Sequence, residues 1–291
     1  MTTRTSEPVT YAYVVARAHP DLAPTLAGLA GVAGAPVHVI AEGGEDGDAT
    51  AIVLVVSPVP AVDFREEGLR RHLEDLDWLE AVARAHHAIV EEVTALTPAL
   101  PLRLATVYVD DGSARDMLRS AVRLFAERLD HLANQVEWGV KIYVEATGPT
   151  DPPAPESGAS ADMTPGRAYL SARRRQRGDR DAVHRAAQEA AERVGDVARA
   201  YATDRAAHRP QQGVLAGDAG ENVFNDAFLV PRGHGEAFRE EAARAGRGLT
   251  GVRVEVTGPW APYSFAMPPQ DATDDGEGTG GTGGDVRGVT P

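Results

Sequence analysis

Two stretches of this chain, Glu66 to Leu96 and Arg167 to His208, carry apolar side chains at helical spacing for far longer than an average helix. In the first, the stripe is Leu69, Leu73, Leu76, Leu79, Val82, Ile89 and Val93; in the second, Val183, Ala187, Ala190, Val194, Val197 and Tyr201. A one-sided helix of that length needs a broad apolar surface to lie on. The segments around each helix supply strands of the right kind. Before the first come "VTYAYVVARA", a strand apolar on both faces, then a short helix in "HPDLAPTLAGLAG" and the strands "PVHVIAEG" and "TAIVLVVSPV", joined through the hairpin signal "GEDGD". After it come a strand, "PLRLATVYV", and an amphipathic helix carrying Leu118, Val122, Phe125, Leu129 and Leu132, with Ser113 as its expected cap and Asp116 three residues on.

The second half repeats the order. "EWGVKIYVEATG" alternates Val140, Ile142 and Val144 with Lys141, Tyr143 and Glu145. The long helix, two strands in "GVLAG" and "NVFNDAFLVPR", a helix from Gly235 to Ala245 and the strand "GVRVEVTG" follow. The expected fold class is therefore α+β, in two domains at 8–134 and 135–268. Each domain has a βαββαβ, ferredoxin-like order with long amphipathic helices. "GVKIYVEATGP" and "GVRVEVTGP" resemble each other, which hints at a repeat. The Pro/Ser/Gly stretch at 147–166 is expected to be a mobile loop. The acidic, glycine-rich residues 269–291 are expected to form a disordered tail.

Charge narrows the partners. The formal net charge is −14, and five tail acids facing Arg287 alone leave −10 on the rest. That balance argues against nucleic acid, which needs a basic face. No apolar run is long enough to cross a bilayer, so no membrane is expected, and the N-terminus lacks a secretory pattern, which favours the cytoplasm. Without cysteine there are no disulfides and no thiolate ligands.

Catalytic signals are weak. His87 and Glu91 are one helical turn apart, a spacing that can present two metal ligands, but no third ligand is evident. His86 falls on the apolar stripe and reads as a core or interface histidine. The run "RRRQRGDR" could bind an acidic group, yet short basic runs on helices are usually solvated faces. Arg103, inside a predicted strand, either faces solvent or pairs with a carboxylate. Phosphate loops, dinucleotide fingerprints, nucleophile elbows and zinc-helix motifs are all missing from the sequence. No cofactor, metal or catalytic set is expected.

The densest aromatic cluster ends the folded part: "VTGPWAPYSF" places Trp260, Tyr263 and Phe265 within six positions beside Pro259 and Pro262. Pro259 stops the last strand and Pro262 keeps the chain extended, so the segment either folds back over the last domain or meets a partner.

Together, "YAYVVARA", "ARAHHAIVEEV", "LPLRLATVYVDD", "EWGVKIYVEA", "NDAFLVPR" and "VTGPWAPYSF" resemble, in that order from Val9 to Phe265, the gas vesicle protein L/F family (GvpL/GvpF). Ala261 stands where members of that family usually have Pro, and "RLAT" replaces a common aromatic-glycine pattern; the subtype, L or F, stays open. The resemblance implies a non-enzymatic role in assembling gas vesicles in the cytoplasm. The implied partners are the hydrophobic shell subunit GvpA and other accessory Gvp proteins, met as an adaptor, chaperone or minor vesicle component. The matched segments make Arg103, Trp138, Lys141, Trp260, Tyr263 and Phe265 the candidate partner contacts. The alternative from another class is an enzyme or small-molecule-binding protein, which would gather His86, His87, Arg103 or carboxylates in one cleft.

Overall fold

The computed structural model describes residues 7–42, 51–145, 165–210 and 220–266. The expected loop at 147–166 falls mostly outside these residues, and the expected strand "GVLAG" and the tail fall wholly outside them. The first half contains β1 (Val9–Arg17), α1 (Leu22–Leu26), β2 (His38–Glu42), β3 (Ile52–Val59), α2 (Ala61–Phe64) and α3 (Glu66–His72). It continues with α4 (Leu76–Leu96), β4 (Ala99–Pro101), β5 (Val107–Tyr108), α5 (Asp111–Ser120) and α6 (Val122–Leu132). The second half contains β6 (Gln135–Val144), α7 (Pro165–Tyr201), β7 (Asp204–Ala207), β8 (Glu221–Pro231), α8 (Gly235–Arg244) and β9 (Val252–Trp260). A 3-10 turn at Tyr263–Phe265 closes the described chain.

Both sheets are antiparallel. Their strand orders, β2-β3-β1-β4 and β7-β8-β6-β9, follow one pattern, with β5 added beside β1 in the first. Central strand β1 is buried along almost its whole length, as its two-sided apolar sequence requires. A register shift between Ala12 and Val14 sends Tyr11, Tyr13 and Val14 to one face and Ala12 and Val15 to the other. The first face packs on α4 through Val82, Ile89, Val90 and Val93; the second packs on α5 and α6 through Leu118, Phe125 and Leu129. In the second sheet, Val136, Trp138, Val140 and Ile142 lie under α7 and α8. Its opposite face sends Ala227 and Leu229 into the same cluster as Leu118 and Phe125, so the two halves share one apolar core across their junction.

Four elements differ from the sequence expectation, each for a local reason. The first long helix is divided, because Asp75 takes an extended backbone and caps α4 by accepting from the Trp78 N–H at 3.0 Å. Asp75→Ala should cost about 1 kcal/mol in chemical denaturation, the usual value of such a cap. The helix of the first half starts at Asp110, not Ser113: the Asp110 carboxylate accepts from the Ser113 N–H at 2.7 Å, and a break at Ala121 separates α5 from α6. "PLRLATVYV" is two short strands separated by a turn in which Ala105 has φ 62°. The second long helix ends at Tyr201 and the pairing strand that follows is β7, a polar tetrapeptide with no alternation to announce it.

Candidate functional site

The aromatic segment at the end of β9 does not fold back over the second half alone. Ala261 joins the cluster on the α4 face of the first sheet. Phe265, 6% exposed, and Ala266 join the cluster shared by α5, α6 and the second sheet. The segment is a clasp on the junction between the halves, and the sequence expectation of a cover for the last domain is corrected accordingly. The physical reason is that β4 at the sheet edge is only three residues long, and the turn packs against it where an apolar edge would otherwise lie open.

Two polar groups hold the clasp. Glu137, on β6, is buried, and its carboxylate accepts from both the N–H and the hydroxyl of Ser264 at 2.8 Å. Burial raises its pKa, while the two Ser264 bonds and nearby His208 pull it back down. The Ser264 hydroxyl lies 3.0 Å from His208 Nε2, so the imidazole donates to an oxygen whose proton already goes to Glu137. In a hydrolytic triad the carboxylate orients the imidazole and the imidazole takes the serine proton. Here serine sits between acid and base, an order that tethers a chain.

Pro259 does not stop the last strand as expected: β9 shifts register against β6 at Gly258 and Pro259 and pairs once more, Trp260 with Glu137, before the clasp. The Gly258 φ of +131° suits glycine, and a Cβ there would lie 2.8 Å from the Glu137 carbonyl oxygen and 3.0 Å from the Trp138 ring.

On the other side of the clasp lies α4. His86 is 3% exposed, and the Tyr11 hydroxyl donates to its Nδ1 at 3.0 Å while accepting from the Ala105 N–H at 3.1 Å. His86 Nε2 makes no hydrogen bond among the described residues. Burial pushes the His86 pKa down to about 4; the Leu102 backbone, close but short of bonding geometry, offsets part of this, and His87 adds to it. Tyr263 stacks loosely over both His86 and His87, at 6.4 and 6.2 Å between ring centres, and Trp260 lies 5.9 Å from His87. Burial, with Glu91 and Glu137 nearby, pushes the Tyr263 hydroxyl up to about 12. His87 pairs with Glu91 at 3.1 Å, which accounts for the spacing that resembled a ligand pair. No group of three metal-ligating side chains occurs among the described residues.

The candidate residues therefore divide. Trp260 (42% exposed) and Tyr263 (37% exposed) form one surface patch with His87. Phe265 is not part of that patch: it is buried in the cluster shared by α5, α6 and the second sheet. Trp138, 2% exposed and packed against Phe238 and Gly235, is a core residue; its place on the inward side of β6 corrects the expectation of a partner contact. Lys141 lies on the opposite side of β6, the side that also carries Glu137, in register with Glu255 on β9. Arg103 is exposed in the turn after β4, not in a strand. Glu137, Ser264 and His208 were not singled out by spacing, since 127 residues separate the first two. A cleft of about 360 Å³ opens beside the clasp, lined by Thr94, Thr97, Leu132, Gln135, Arg232 and Pro262 among others, with Arg232 its charged group among the described residues.

The family model for "Gas vesicle synthesis protein GvpL/GvpF" matches residues 9–267, nearly all the chain that bears this architecture. The chain belongs to the GvpL/GvpF family. Gas vesicle protein L of Streptomyces sp. (strain CB03234) is 40% identical over 256 residues, covering 88% of this chain and 92% of that relative. Gas vesicle protein F of the same strain is 26% identical over 264 residues, covering 88% and 98%. Two crystal structures share the fold. GvpF from Anabaena sp. PCC7120 has a TM-score of 0.59 at 17% identity and covers 90% of this chain and 97% of its own. GvpF from Microcystis aeruginosa has a TM-score of 0.58 at 18% identity and covers 89% and 99%. Membership gives this GvpL/GvpF chain a role in gas vesicle assembly. No described helix is long and apolar enough to cross a membrane.

Proposed function

We propose that this protein is a non-enzymatic adaptor of gas vesicle assembly that holds the hydrophobic shell subunit GvpA and passes it to other accessory Gvp proteins in the cytoplasm. Its greater identity to a protein L than to a protein F, 40% against 26%, favours the L type. We read it as two ferredoxin-like domains joined near residue 134. The shared strand order of the two sheets supports this reading.

One observation carries the proposal. Trp260 and Tyr263 stand exposed on a segment whose alternate residues, Ala261 and Phe265, are locked into the core on both sides of the junction. Large aromatic rings held on a rigid base are the kind of surface that anchors an apolar partner at little entropic cost. A net charge of −14 would keep a complex with an aggregation-prone subunit in solution. The order of Glu137, Ser264 and His208 supports a tether over a reaction centre.

The test is a pull-down of co-expressed shell subunit with wild type and with Trp260→Ala. The variant should remain folded, with near-wild-type denaturation, and should retain about tenfold less shell subunit, the loss that corresponds to a contact worth about 1.4 kcal/mol. Undiminished capture by a folded Trp260→Ala protein would remove the patch from consideration. Absence of capture by wild type would remove the adaptor role itself.

A further inference from the structure

Strand β9 is the longest open sheet edge among the described residues. The other edge of its sheet, β7, is four residues long, and in the first sheet β2 is five and β4 three. β9 runs nine residues, keeps one register with β6 from Val252 to Thr257, and among the described residues pairs with no other strand. An edge of that length is usually shortened, bulged or covered.

Its backbone phase is fixed by the pairing it already makes. Residues of β6 and β9 match as Lys141 with Glu255, Ile142 with Val254 and Tyr143 with Arg253. The Glu145 N–H donates to the Gly251 carbonyl at 3.0 Å one step beyond the strand end. Bonded and non-bonded pairs alternate in an antiparallel ladder. Arg253 and Glu255 therefore turn their backbone groups toward β6, whereas Val252, Val254 and Val256 turn theirs toward the open edge. The side chains alternate in the same phase. The three valines lie half-buried on the helix-covered face, and Arg253 and Glu255 lie on the other face, where they pair at 2.9 Å and Arg253 sits over the Tyr143 ring.

We infer that β9 pairs with β9 of a second copy of this chain, antiparallel about a twofold axis at Val254. In that register Val254 faces its symmetry mate, Val252 faces Val256, and Arg253 of each copy faces Glu255 of the other. All three outward-turned valines meet outward-turned partners, so six free backbone groups per copy are satisfied. The valine row continues across the axis, and two opposite-charge pairs form by symmetry. The neighbouring registers with the same backbone phase are worse. Centring on Arg253 sets arginine against arginine, and centring on Glu255 sets glutamate against glutamate. The sequence Val-Arg-Val-Glu-Val is thus complementary to itself in one register and self-repelling in the two beside it. A second copy is favoured over an unrelated strand because the charge order selects it. This reading is independent of the shell-subunit contact, which uses the clasp.

The absence of cysteine from the chain allows a direct test. Residues directly paired across bonded positions have Cα atoms about 5.5 Å apart, within disulfide reach. The full-length Val254→Cys protein should form a disulfide dimer under mild oxidation. Val252→Cys, whose symmetry mate lies four residues away along the strand, about 14 Å, should not. In sedimentation equilibrium, Arg253→Glu and Glu255→Arg should each weaken the dimer by about tenfold, because every single change acts twice across the axis. The double exchange should restore it. A wild-type protein that stays monomeric across the concentration series would overturn the inference. So would a dimer that cross-links equally at 252 and 254, or one indifferent to the charge reversal.

Discussion

Phe265→Ala should lower the unfolding free energy by about 3–5 kcal/mol, the range for emptying a buried phenylalanine site. Phe265 sits in a cluster built from both halves: Leu118, Phe125 and Leu129 from the helices of the first and Leu229 from the sheet of the second. Loss of its ring leaves a void between elements that no single neighbour can fill. The cost should therefore lie toward the upper end. The other anchors of the clasp are slighter: the small side chains of Ala261 and Ala266 in the two clusters, and Ser264 bonded to Glu137 and His208. Limited proteolysis should consequently cut the variant near residues 259–266 while wild type resists. Trp260→Ala, removing a ring 42% exposed, should cost no more than about 1 kcal/mol. Urea denaturation of the two variants side by side separates a core anchor from a surface contact. Equal losses would mean that the clasp is not anchored through Phe265.

What the sequence made legible was periodicity. The alternation of Val140, Ile142 and Val144 with Lys141, Tyr143 and Glu145 located β6, and the stripe of Val82, Ile89 and Val93 located α4, because each records which face is covered. Breaks in a pattern were less visible. Ala105 holds a left-handed turn without glycine or asparagine to announce it, and β7 spells Asp-Arg-Ala-Ala, which fits a helix as well as an edge strand. Caps were misplaced by one turn where acidic and hydroxyl residues lie close together, as with Asp110 and Ser113. The site was partly legible. Proline and aromatic residues flagged the clasp, but its destination depends on surfaces more than a hundred residues away along the chain. Nothing local in "TGPWAPYSF" encodes Glu137, His86 or the first sheet. Trp138 shows the converse. Its strand resembles the family segment, yet alternation alone already put it on the same face as Val136 and Val140, which is the buried one.

The second large effect concerns acid. Stability should fall as pH drops from about 6.5 to about 4, by roughly 3 kcal/mol from His86 alone. The unfolded imidazole titrates near 6.5, whereas burial holds the folded one at about 4. Between these values the unfolded chain binds a proton that the folded chain does not, which draws the equilibrium toward unfolding. Above this window both states are neutral and the contribution is constant. Tyr11 reinforces the neutral form, since a hydroxyl that donates to Nδ1 loses its acceptor once Nδ1 carries a proton. Glu137 acts in the opposite sense. Its raised pKa means that the folded state takes up its proton more readily than the unfolded chain, which offsets part of the loss. The two are separable by substitution. Tyr11 and Tyr13 flank His86 with aromatic rings, at 5.8 and 5.6 Å, so phenylalanine fits its surroundings better than a polar replacement. His86→Phe leaves the Tyr11 hydroxyl still bonded to the Ala105 N–H and removes the titrating group. Denaturation of this variant at pH 7 and at pH 4.5 should show a difference smaller than in wild type by most of the His86 contribution. Glu137→Gln should steepen the wild-type loss instead, because it deletes the offsetting uptake. If wild type and His86→Phe lose stability in parallel across that window, the acid sensitivity belongs to surface carboxylates, and the histidine under the clasp has no part in it.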